Sequence, residues 1–254
     1  MRINLNADLG EGYGPWTMGD DAAMLDIVAS ANIACGGHAG DPDVMRRTLR
    51  LARKRGVSIG AHPSYPDLQG FGRRTMSLSA AELENQVAAQ VGALSAIAAL
   101  EAARVTHVKP HGALNNLACA DRSVADTICR AVRAIDPALI MLAPAASQLV
   151  AAGRAAGLAV IEEIFADRAY LPDGQLVPRS RPDAMIHGAE ASLAHVLAML
   201  EAGALIAVDG TRIATPIGSI CVHGDSPGAV AVARHLREQL AARGHQLLPL
   251  PEIA

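Results

Sequence analysis

Side chains that can exchange protons or stabilise charge follow short apolar runs at several separate places in this 254-residue chain. Four of the nine histidines lie directly after such runs: His38, His62, His111 and His223. Acidic and basic residues occupy the same kind of position: Asp8, Lys109, Asp167, Arg168 and Asp225. Imidazole, carboxylate and ammonium groups are the usual acids, bases and charge stabilisers of catalysis, so this grouping predicts an enzyme.

A metal site is a second interpretation of part of the same set. Asp8, His38 and His62 match a site in which one carboxylate and two imidazoles hold a divalent ion and leave a position open for water. A structural role is the alternative for each of these residues. Asp8 would then cap a turn, and the two histidines would be buried and hydrogen-bonded without taking part in chemistry.

A glycine-rich stretch at residues 35–40 precedes a predicted helix, and its Gly36 and Gly37 could present backbone N–H groups to an anion. Arg73 and Arg74 would add positive charge for a bound phosphate. The alternative for the glycines is a tight turn. The sequence contains no GxxxxGK[ST] phosphate-binding loop, dinucleotide fingerprint, GxSxG elbow or HExxH pair.

The elements that must position these residues alternate along the chain. The apolar patterns predict strands and helices in turn, with a capping box at residues 79–82 and a proline at the first position of a helix after Asp41. Strands are predicted at residues 2–7, 33–35, 57–61, 105–108, 139–142, 159–164, 205–208, 219–222 and 246–250. Helices are predicted at residues 20–31, 42–56, 79–103, 121–135, 145–156, 189–202 and 227–243.

Seven to eight β/α units of this kind predict an α/β fold with parallel strands, and a closed, distorted (β/α) barrel is favoured over an open doubly wound sheet. One domain then spans residues 1–254. The predicted site residues lie at the carboxyl ends of the strands, where such folds carry their chemistry. Glu162 and Glu163 alternate on one strand, so only one of them is expected to face the barrel interior.

Composition excludes several classes of function. Hydrophobic residues make up 51% and charged residues 19% of the chain, which is unlike a disordered protein. A net charge of −3 gives no basic surface for nucleic acid or an anionic membrane. The sequence shows no apolar run of about 18 residues, no signal-peptide pattern and no CxxC spacing among its cysteines. We therefore expect a reduced, cytoplasmic protein.

Aromatic residues are scarce and confined to the polar segments between predicted elements. They are expected to form pocket walls, or alternatively to cover the ends of the barrel. The six are Tyr13, Trp16, Tyr65, Phe71, Phe165 and Tyr170.

Six segments together resemble the LamB/YcsF family of 5-oxoprolinase A subunits, in the family's order and over nearly the whole chain. They are NLNADLGEGYG at 4–14, ANIACGGHAGDP at 31–42, GAHPSYPDLQGFGRR at 60–74, VKPHGALNN at 108–116, EEIFADRAYLPDGQLVPR at 162–179 and ICVHGDSP at 220–227. Two positions depart from the pattern: Gly37 replaces an aromatic residue, and Asn115 replaces a tyrosine. Both bear on the shape of the pocket.

The resemblance implies a barrel similar to those of the glycoside hydrolase/deacetylase group. It also implies ATP-dependent opening of 5-oxo-L-proline to L-glutamate, in an assembly with subunits B and C. Copies of this chain could in addition form a homo-oligomer. Magnesium is expected to arrive with the nucleotide. Lys109, Arg168 and Arg73 or Arg74 would stabilise negative charge, and His38, His62 or His223 would act as base.

Two other functions remain open on the sequence. A metal-dependent, deacetylase-like hydrolase would act without ATP. A non-catalytic subunit would bind 5-oxoproline or dock the partner subunits, although four histidines at one rim are more than such a module needs.

Overall fold

A closed barrel of parallel strands forms the centre of the molecule, in a computed structural model that describes residues 1–224 and 228–254. Within those residues, the first six strands pair in chain order. The strand Ser219–Val222 then pairs in parallel both with the sixth strand and with the first, which closes a ring of seven strands. The predicted α/β barrel is therefore confirmed.

The strands and helices are bounded as follows. The strands are β1 (Arg2–Leu9), β2 (Ser30–Ala34), β3 (Ser58–His62), β4 (Val105–Val108), β5 (Ile140–Pro144), β6 (Ala159–Phe165), β7 (Ala204–Ile206), β8 (Arg212–Ala214), β9 (Ser219–Val222) and β10 (Gln246–Leu247). The α-helices are α1 (Asp21–Leu25), α2 (Pro42–Lys54), α3 (Ala80–Leu100), α4 (Gly112–Ala120), α5 (Arg122–Ile135), α6 (Gln148–Ala155), α7 (Ala189–Ala202) and α8 (Ala229–Ala242). A 3-10 turn at Leu250–Glu252 follows β10.

The local signals for helix starts are confirmed. Asp41 accepts hydrogen bonds from the backbone N–H groups of Asp43 and Val44 at the start of α2. Ser79 and Glu82 form the predicted capping box of α3. These caps satisfy backbone donors that have no partner within the helix.

The structure departs from the predicted elements in three places. Residues 20–31 hold only the short helix α1 and then enter β2, so the apolar spacing there belongs partly to a strand. Helix α4 was not predicted. The strand predicted at 205–208 lies outside the barrel, where β7 pairs in antiparallel fashion with β8.

Side chains of β1 alternate between an apolar face and a polar face. Its odd-numbered residues, from Ile3 to Leu9, are buried in the hydrophobic layer between the barrel and the helices. The even-numbered residues from Asn4 to Asp8 point into the barrel, where Asn4 contacts Ser30 and Asn6 contacts Ser219. The middle of the barrel is therefore filled by hydrogen-bonded polar groups rather than by aliphatic side chains alone.

The carboxyl-terminal segment covers the end of the barrel at which the strands begin. Strand β10 pairs with Arg2 and Ile3 of β1, and Leu250 is fully buried against Ile140, Leu142 and Ile161. The opposite end, where the strands finish, carries the loops and the polar residues singled out above. No helix in the described residues is long and apolar enough to span a membrane.

Candidate active site

A cavity of about 550 Å³ opens at the carboxyl ends of the barrel strands. A second cavity, of about 440 Å³, lies beside it and shares His223 and Arg179 with its wall. The wall of the first cavity includes Asp8 from β1, His62 from β3, Lys109 and His111 after β4, and His223 after β9. Side chains that are far apart in the sequence meet here because parallel strands bring their carboxyl ends to one side.

Lys109 forms the floor of this cavity and is fully buried. Its Nζ lies 3.1 Å from Asp8 Oδ1, 3.2 Å from Glu163 Oε2 and 3.0 Å from Cys221 Sγ. The ammonium therefore lies between two carboxyl groups in a site with little solvent. Of the two glutamates of β6, Glu163 faces this interior while Glu162 pairs with Arg154 outside it, as the alternation predicts.

The three charges differ in how burial affects them. Burial opposes the charged form of Asp8, but His62 and Lys109 outweigh it and hold the pKa of Asp8 well below its usual value. Burial likewise opposes the charge of Lys109, yet Asp8 and the other acidic neighbours raise the pKa of Lys109. For Glu163 burial dominates and raises the pKa. Lys109 and Asp8 are therefore the ionised pair of the floor.

Cys221 does not have the character of a nucleophile. Burial raises the pKa of its thiol well above the usual value, even though Lys109 donates a hydrogen bond to the sulfur. A thiol that stays protonated is a weak nucleophile, so Cys221 helps to position the ammonium.

Three imidazoles meet beside the floor. The rings of His38 and His111 are stacked, with centroids 3.7 Å apart and an interplanar angle of 3°. His62 stands edge-on to both, and its Nε2 lies 3.0 Å from His111 Nδ1. Burial, followed by the neighbouring imidazoles, lowers the pKa of His38 and of His111 well below the usual value. Both rings are therefore neutral near pH 7.

Glu11 completes this group and was not among the residues predicted for the site. Its Oε1 lies 3.1 Å from His38 Nε2 and 3.7 Å from His111 Nδ1. Glu11 follows β1 by two residues, so its position at the rim was visible in the sequence. Its contacts with His38 and His111 could not be predicted, because those histidines follow two other strands.

The loop after β3 holds the imidazoles in place. Phe71 has a positive φ of 53°, which aims its carbonyl oxygen at His111 Nε2, 2.9 Å away. Gly72 also has a positive φ and packs so closely that an added Cβ would lie 2.9 Å from His38 Cβ. Gln90 of α3 fixes the start of the loop through two hydrogen bonds with the backbone of Ser64.

Positive charge lines the outer wall of the cavity. Arg73, Arg168 and Arg179 all contribute to the wall of the cavity, and the guanidinium of Arg73 lies 5.0 Å from the centre of the Phe71 ring. Arg168 is buried, and burial followed by Arg179 lowers its pKa to about 10. Its Nη2 donates to the Val177 carbonyl, and among the described residues its Nε has no partner. Such a wall favours an anionic ligand.

His223 and Asp167 form a separate pair on the same rim, with His223 Nδ1 2.8 Å from both carboxylate oxygens. Burial lowers the pKa of His223, but Asp167 outweighs it and the pKa is raised. Asp167 fixes the ring so that Nε2 is the free nitrogen. Asp225, predicted to belong to this group, lies outside the described residues.

Some predicted site residues lie away from the cavity wall. Gly37 packs against Gln90 and Ser64, the N–H of Gly36 donates to the carbonyl of Ala39, and neither glycine lines the cavity. The exposed Arg74 instead pairs with Asp67. Asn115, which departs from the family pattern, lies in the cavity wall.

The aromatic residues are divided among three locations, and Tyr65 is buried in the hydrophobic core. Phe71, Phe165 and Tyr170 line the cavity, which confirms the prediction for these three. Tyr13 and Trp16 are exposed instead, at 40% and 72%.

Comparison with known proteins supports the assignment that the motifs suggested. The sequence model described as the LamB/YcsF family matches residues 3–254. The chain belongs to the LamB/YcsF family. It is 59% identical to the 5-oxoprolinase A subunit of Azoarcus sp. (strain BH72), over 100% of this chain and 99% of that protein. It is 57% identical to the 5-oxoprolinase A subunit of Methylococcus capsulatus, over 95% and 93% of the two chains.

Solved structures agree with the LamB/YcsF assignment. The lactam utilization protein of Thermus thermophilus superposes with a TM-score of 0.92 at 43% identity, covering 98% of this chain and 100% of that one. The peptidoglycan N-acetylglucosamine deacetylase domain of Eubacterium rectale has a TM-score of 0.51 at 13% identity, covering 98% and 87%. The second likeness concerns the fold alone and agrees with the predicted deacetylase-like barrel.

Proposed function

We propose that this LamB/YcsF chain is the A subunit of a 5-oxoprolinase, a hydrolase that opens the lactam of 5-oxo-L-proline to L-glutamate. The observation that carries the proposal is the cavity at the strand ends. It combines a buried Lys109–Asp8 pair, three imidazoles and an arginine-lined wall in a chain that is 59% identical to a 5-oxoprolinase A subunit over its full length.

The cavity suits a small anionic lactam. The carboxylate of 5-oxoproline would pair with the arginine wall, where Arg168 is already buried. The lactam ring would then lie between that wall and the imidazoles. Lys109 is placed to stabilise negative charge that develops on the lactam oxygen, because a preorganised cation in a dry site stabilises an oxyanion strongly.

ATP is part of the proposal because an unstrained amide is a poor electrophile. The lactam oxygen would attack the γ-phosphorus, forming an O–P bond while the bond to ADP breaks. Water would then add to the activated carbon, and the ring C–N bond would break as the ring nitrogen gains a proton, which leaves the side-chain carboxyl of L-glutamate as an acyl phosphate. A second water would hydrolyse this acyl phosphate to L-glutamate and phosphate. Magnesium would accompany the nucleotide. Partner subunits B and C belong to the same proposal.

The roles proposed for individual residues follow their positions. His62 or His223 would take the proton of the attacking water, with Asp8 and Asp167 orienting them. Replacement of Asp8, His62 or Lys109 by alanine is expected to lower turnover of the assembled enzyme by far more than a few-fold. Turnover close to wild type in all three variants would contradict these roles.

A second candidate function is a metal-dependent hydrolase that needs no nucleotide. One observation favours it, namely the four potential metal ligands that meet at the cavity wall. In that case chelation would abolish activity, whereas ATP would have no effect.

Glutamate release from 5-oxoproline distinguishes these functions. The assay is run with this chain alone, with this chain and the B and C subunits, and with B and C alone, each with and without ATP. The proposed function predicts release only in the complete, ATP-supplied mixture, and loss of release when the Lys109→Met variant replaces the wild type. Release by this chain alone without ATP would favour the metal-dependent hydrolase. Release by B and C without this chain would show a non-catalytic role.

A further inference from the structure

Hydrogen bonds to two backbone carbonyls determine which nitrogens of the central histidines carry a proton. His62 Nδ1 lies 2.7 Å from the carbonyl oxygen of Lys109, and His111 Nε2 lies 2.9 Å from that of Phe71. A carbonyl oxygen only accepts, so these two nitrogens must donate. In the neutral rings, His62 Nε2 and His111 Nδ1 are therefore both unprotonated.

Those two unprotonated nitrogens face each other at 3.0 Å. Each presents a lone pair, and a direct hydrogen bond between them would need an additional proton. Two carboxylate oxygens lie close to them: Asp8 Oδ2 is 3.3 Å from His62 Nε2, and Glu11 Oε1 is 3.7 Å from His111 Nδ1. The two nitrogens and the two carboxylate oxygens thus direct electron pairs at one place.

His38 supplies a third nitrogen close by, from a ring stacked on His111 that must turn to direct its lone pair at the same ion. Its Nε2 lies 3.1 Å from Glu11 Oε1, and its Nδ1 is buried without a hydrogen-bond partner among the described residues. The ligand atoms of Glu11, His38, His62 and His111 all lie within 4.8 Å of one another. Neighbouring ligands of an ion with bonds of about 2.1 Å are separated by roughly 3.0–3.5 Å, close to the shorter separations here.

We propose that Glu11, His38, His62 and His111 bind one divalent transition-metal ion of the zinc and cobalt class at the cavity wall. Three imidazoles and one carboxylate favour such ions over magnesium or calcium, which prefer oxygen ligands. The carbonyls of Lys109 and Phe71 act as the outer partners that orient metal-binding imidazoles. Three of the four ligands line the cavity, so a ligand position of the ion faces the substrate space.

The assignment differs from the metal set expected from the sequence, which joined Asp8 to His38 and His62. Asp8 Oδ1 is engaged by Lys109 and by Asn32, at 3.1 Å and 2.8 Å. Asp8 is therefore the ion-pair partner of Lys109, and Glu11 is the carboxylate that binds the metal ion. The inference deepens the proposed function by adding a metal to the same cavity. Because the ion would occupy His62 Nε2 while His62 Nδ1 donates to the Lys109 carbonyl, His223 is left as the base of the two histidines considered above. The inference concerns binding and is tested without substrate.

The test uses the full chain, free of any histidine tag, stripped with a chelator and dialysed. Co²⁺ is titrated in while its visible absorption bands and the heat of binding are followed, and the bound ion is quantified by mass spectrometry. Wild type is expected to bind close to one ion per chain. His62→Gln, His111→Gln and Glu11→Gln are each expected to weaken binding about tenfold or more.

Two control variants locate the ion. His195→Gln makes the same change at a half-buried histidine whose Nε2 contacts the Arg168 carbonyl, and it is expected to bind as wild type does. His223→Gln tests the other possible group, formed by Asp8, Cys221 and His223. It should also bind as wild type. Circular dichroism and thermal melts of every variant establish that the chains compared are folded.

Two results would overturn the inference. One is a folded wild type that shows no saturable Co²⁺ or Zn²⁺ binding, as expected if His62 and His111 share a proton instead. The other is a full ion content in folded His62→Gln and His111→Gln chains. Failure of the glutamate assay would leave the metal measurement unchanged, so the two proposals fail separately.

Discussion

Lys109 is the residue on which the charge balance of the barrel interior depends. It is fully buried, it contacts the carboxylates of Asp8 and Glu163, and it lies at the floor of the cavity. Burying a charge raises the free energy of the folded state unless an oppositely charged group lies beside it. Lys109 and its acidic neighbours therefore stabilise one another in the barrel interior.

Replacement of Lys109 by methionine keeps most of the side-chain volume and removes the charge. Asp8 would then be buried without its ammonium partner, and we expect the free energy of unfolding to fall by about 3 kcal/mol. Turnover of the assembled enzyme should fall by about a hundredfold or more, since an oxyanion would lose its cation. Urea denaturation and the glutamate assay measure the two effects.

The matched control is Lys54→Met, because Lys54 is the other lysine of the chain and lies exposed near the end of α2. It should change neither quantity appreciably. Equal losses in the two variants would contradict the role of Lys109.

The His223–Asp167 pair predicts a pH-dependent contribution to stability. Asp167 raises the pKa of His223 against the effect of burial, and burial opposes the charge of Asp167 while His223 lowers its pKa. A histidine with a raised pKa stabilises the fold fully below its unfolded pKa, and this contribution is lost as pH rises through the folded pKa. An aspartate with a lowered pKa contributes above its unfolded pKa, and this is lost as pH falls through the folded value.

Both contributions are present together at mildly acidic pH. Asp167→Asn should therefore lower the free energy of unfolding more at about pH 5.5 than at about pH 9, by about 1 kcal/mol. Urea denaturation at the two pH values measures the difference. Asp183→Asn, which removes an exposed carboxylate paired with Arg181, should show no such pH dependence. A constant loss for Asp167→Asn would show that the pair contributes no charge interaction.

Much of the site could be predicted at the level of single residues. His38, His62, Lys109 and His111 meet as expected because each follows an apolar run that becomes a barrel strand. Their partners could not be predicted, since the contacts depend on how the barrel curves. Glu11 therefore became a candidate ligand only in the structure, and Gly36 and Gly37, which follow β2 as expected, belong to a closely packed turn.

At the scale of elements, the loop between β3 and α3 decides how precisely the imidazoles are placed. Phe71 and Gly72 are consecutive residues with positive φ, and only the second is a glycine. The left-handed region costs a residue with a side chain roughly 1 kcal/mol, and such strain persists where surrounding contacts enforce it. At Phe71 the enforcing contact includes the hydrogen bond to His111.

Gly72→Ala tests this placement. The added methyl group would lie 2.9 Å from His38 Cβ and 3.0 Å from His111 Cδ2, so the imidazoles must shift. We expect turnover to fall by about tenfold or more, in addition to a loss of stability, because small displacements of catalytic groups are costly.

Gly56→Ala is the control for the backbone effect alone. Gly56 has a φ of 68°, close to the 63° of Gly72, but nothing lies within 4 Å of an added Cβ. It should lose about 1 kcal/mol of stability and keep its activity. Equal activity in the two variants would show that the methyl group added at Gly72 does not displace the imidazole rings.

The elements themselves were predictable where local signals dominate. The caps of α2 and α3 depend on a few adjacent residues, so they could be predicted from the sequence. The structure confirms them. Helix α4 was missed because it begins at Gly112 and contains Asn115 and Asn116, which are weak helix formers. Its start depends on the loop instead, since the N–H of Ala113 donates to the carbonyl of Gly72.

At the scale of the whole molecule, the two ends of the barrel have different tasks. The end where the strands finish is open and polar. The end where they begin is closed by Leu250, which is fully buried against Ile140, Leu142 and Ile161. The prediction of a barrel was correct, but this closure joins residues more than 80 positions apart and had no local signal in the sequence.

Leu250→Ala should therefore destabilise the molecule although it lies at the opposite end from the cavity. Removing a fully buried leucine side chain typically costs about 2–5 kcal/mol, and a thermal or urea melt measures it. Leu100→Ala, at an exposed leucine ending α3, should change stability by less than about 0.5 kcal/mol. Similar losses in the two variants would show that Leu250 does not close the barrel.

The polar middle of the barrel also has a consequence for how stability varies with temperature. Unfolding exposes the amides of Asn4, Asn6 and Asn32 and the ring of His107 to water, all from fully buried positions. The heat capacity change of unfolding is increased by apolar surface that becomes exposed to water and decreased by polar surface that becomes exposed. Calorimetry should find a smaller heat capacity change per residue than in barrels filled by branched aliphatic side chains. The curve of unfolding free energy against temperature should accordingly be broad and shallow.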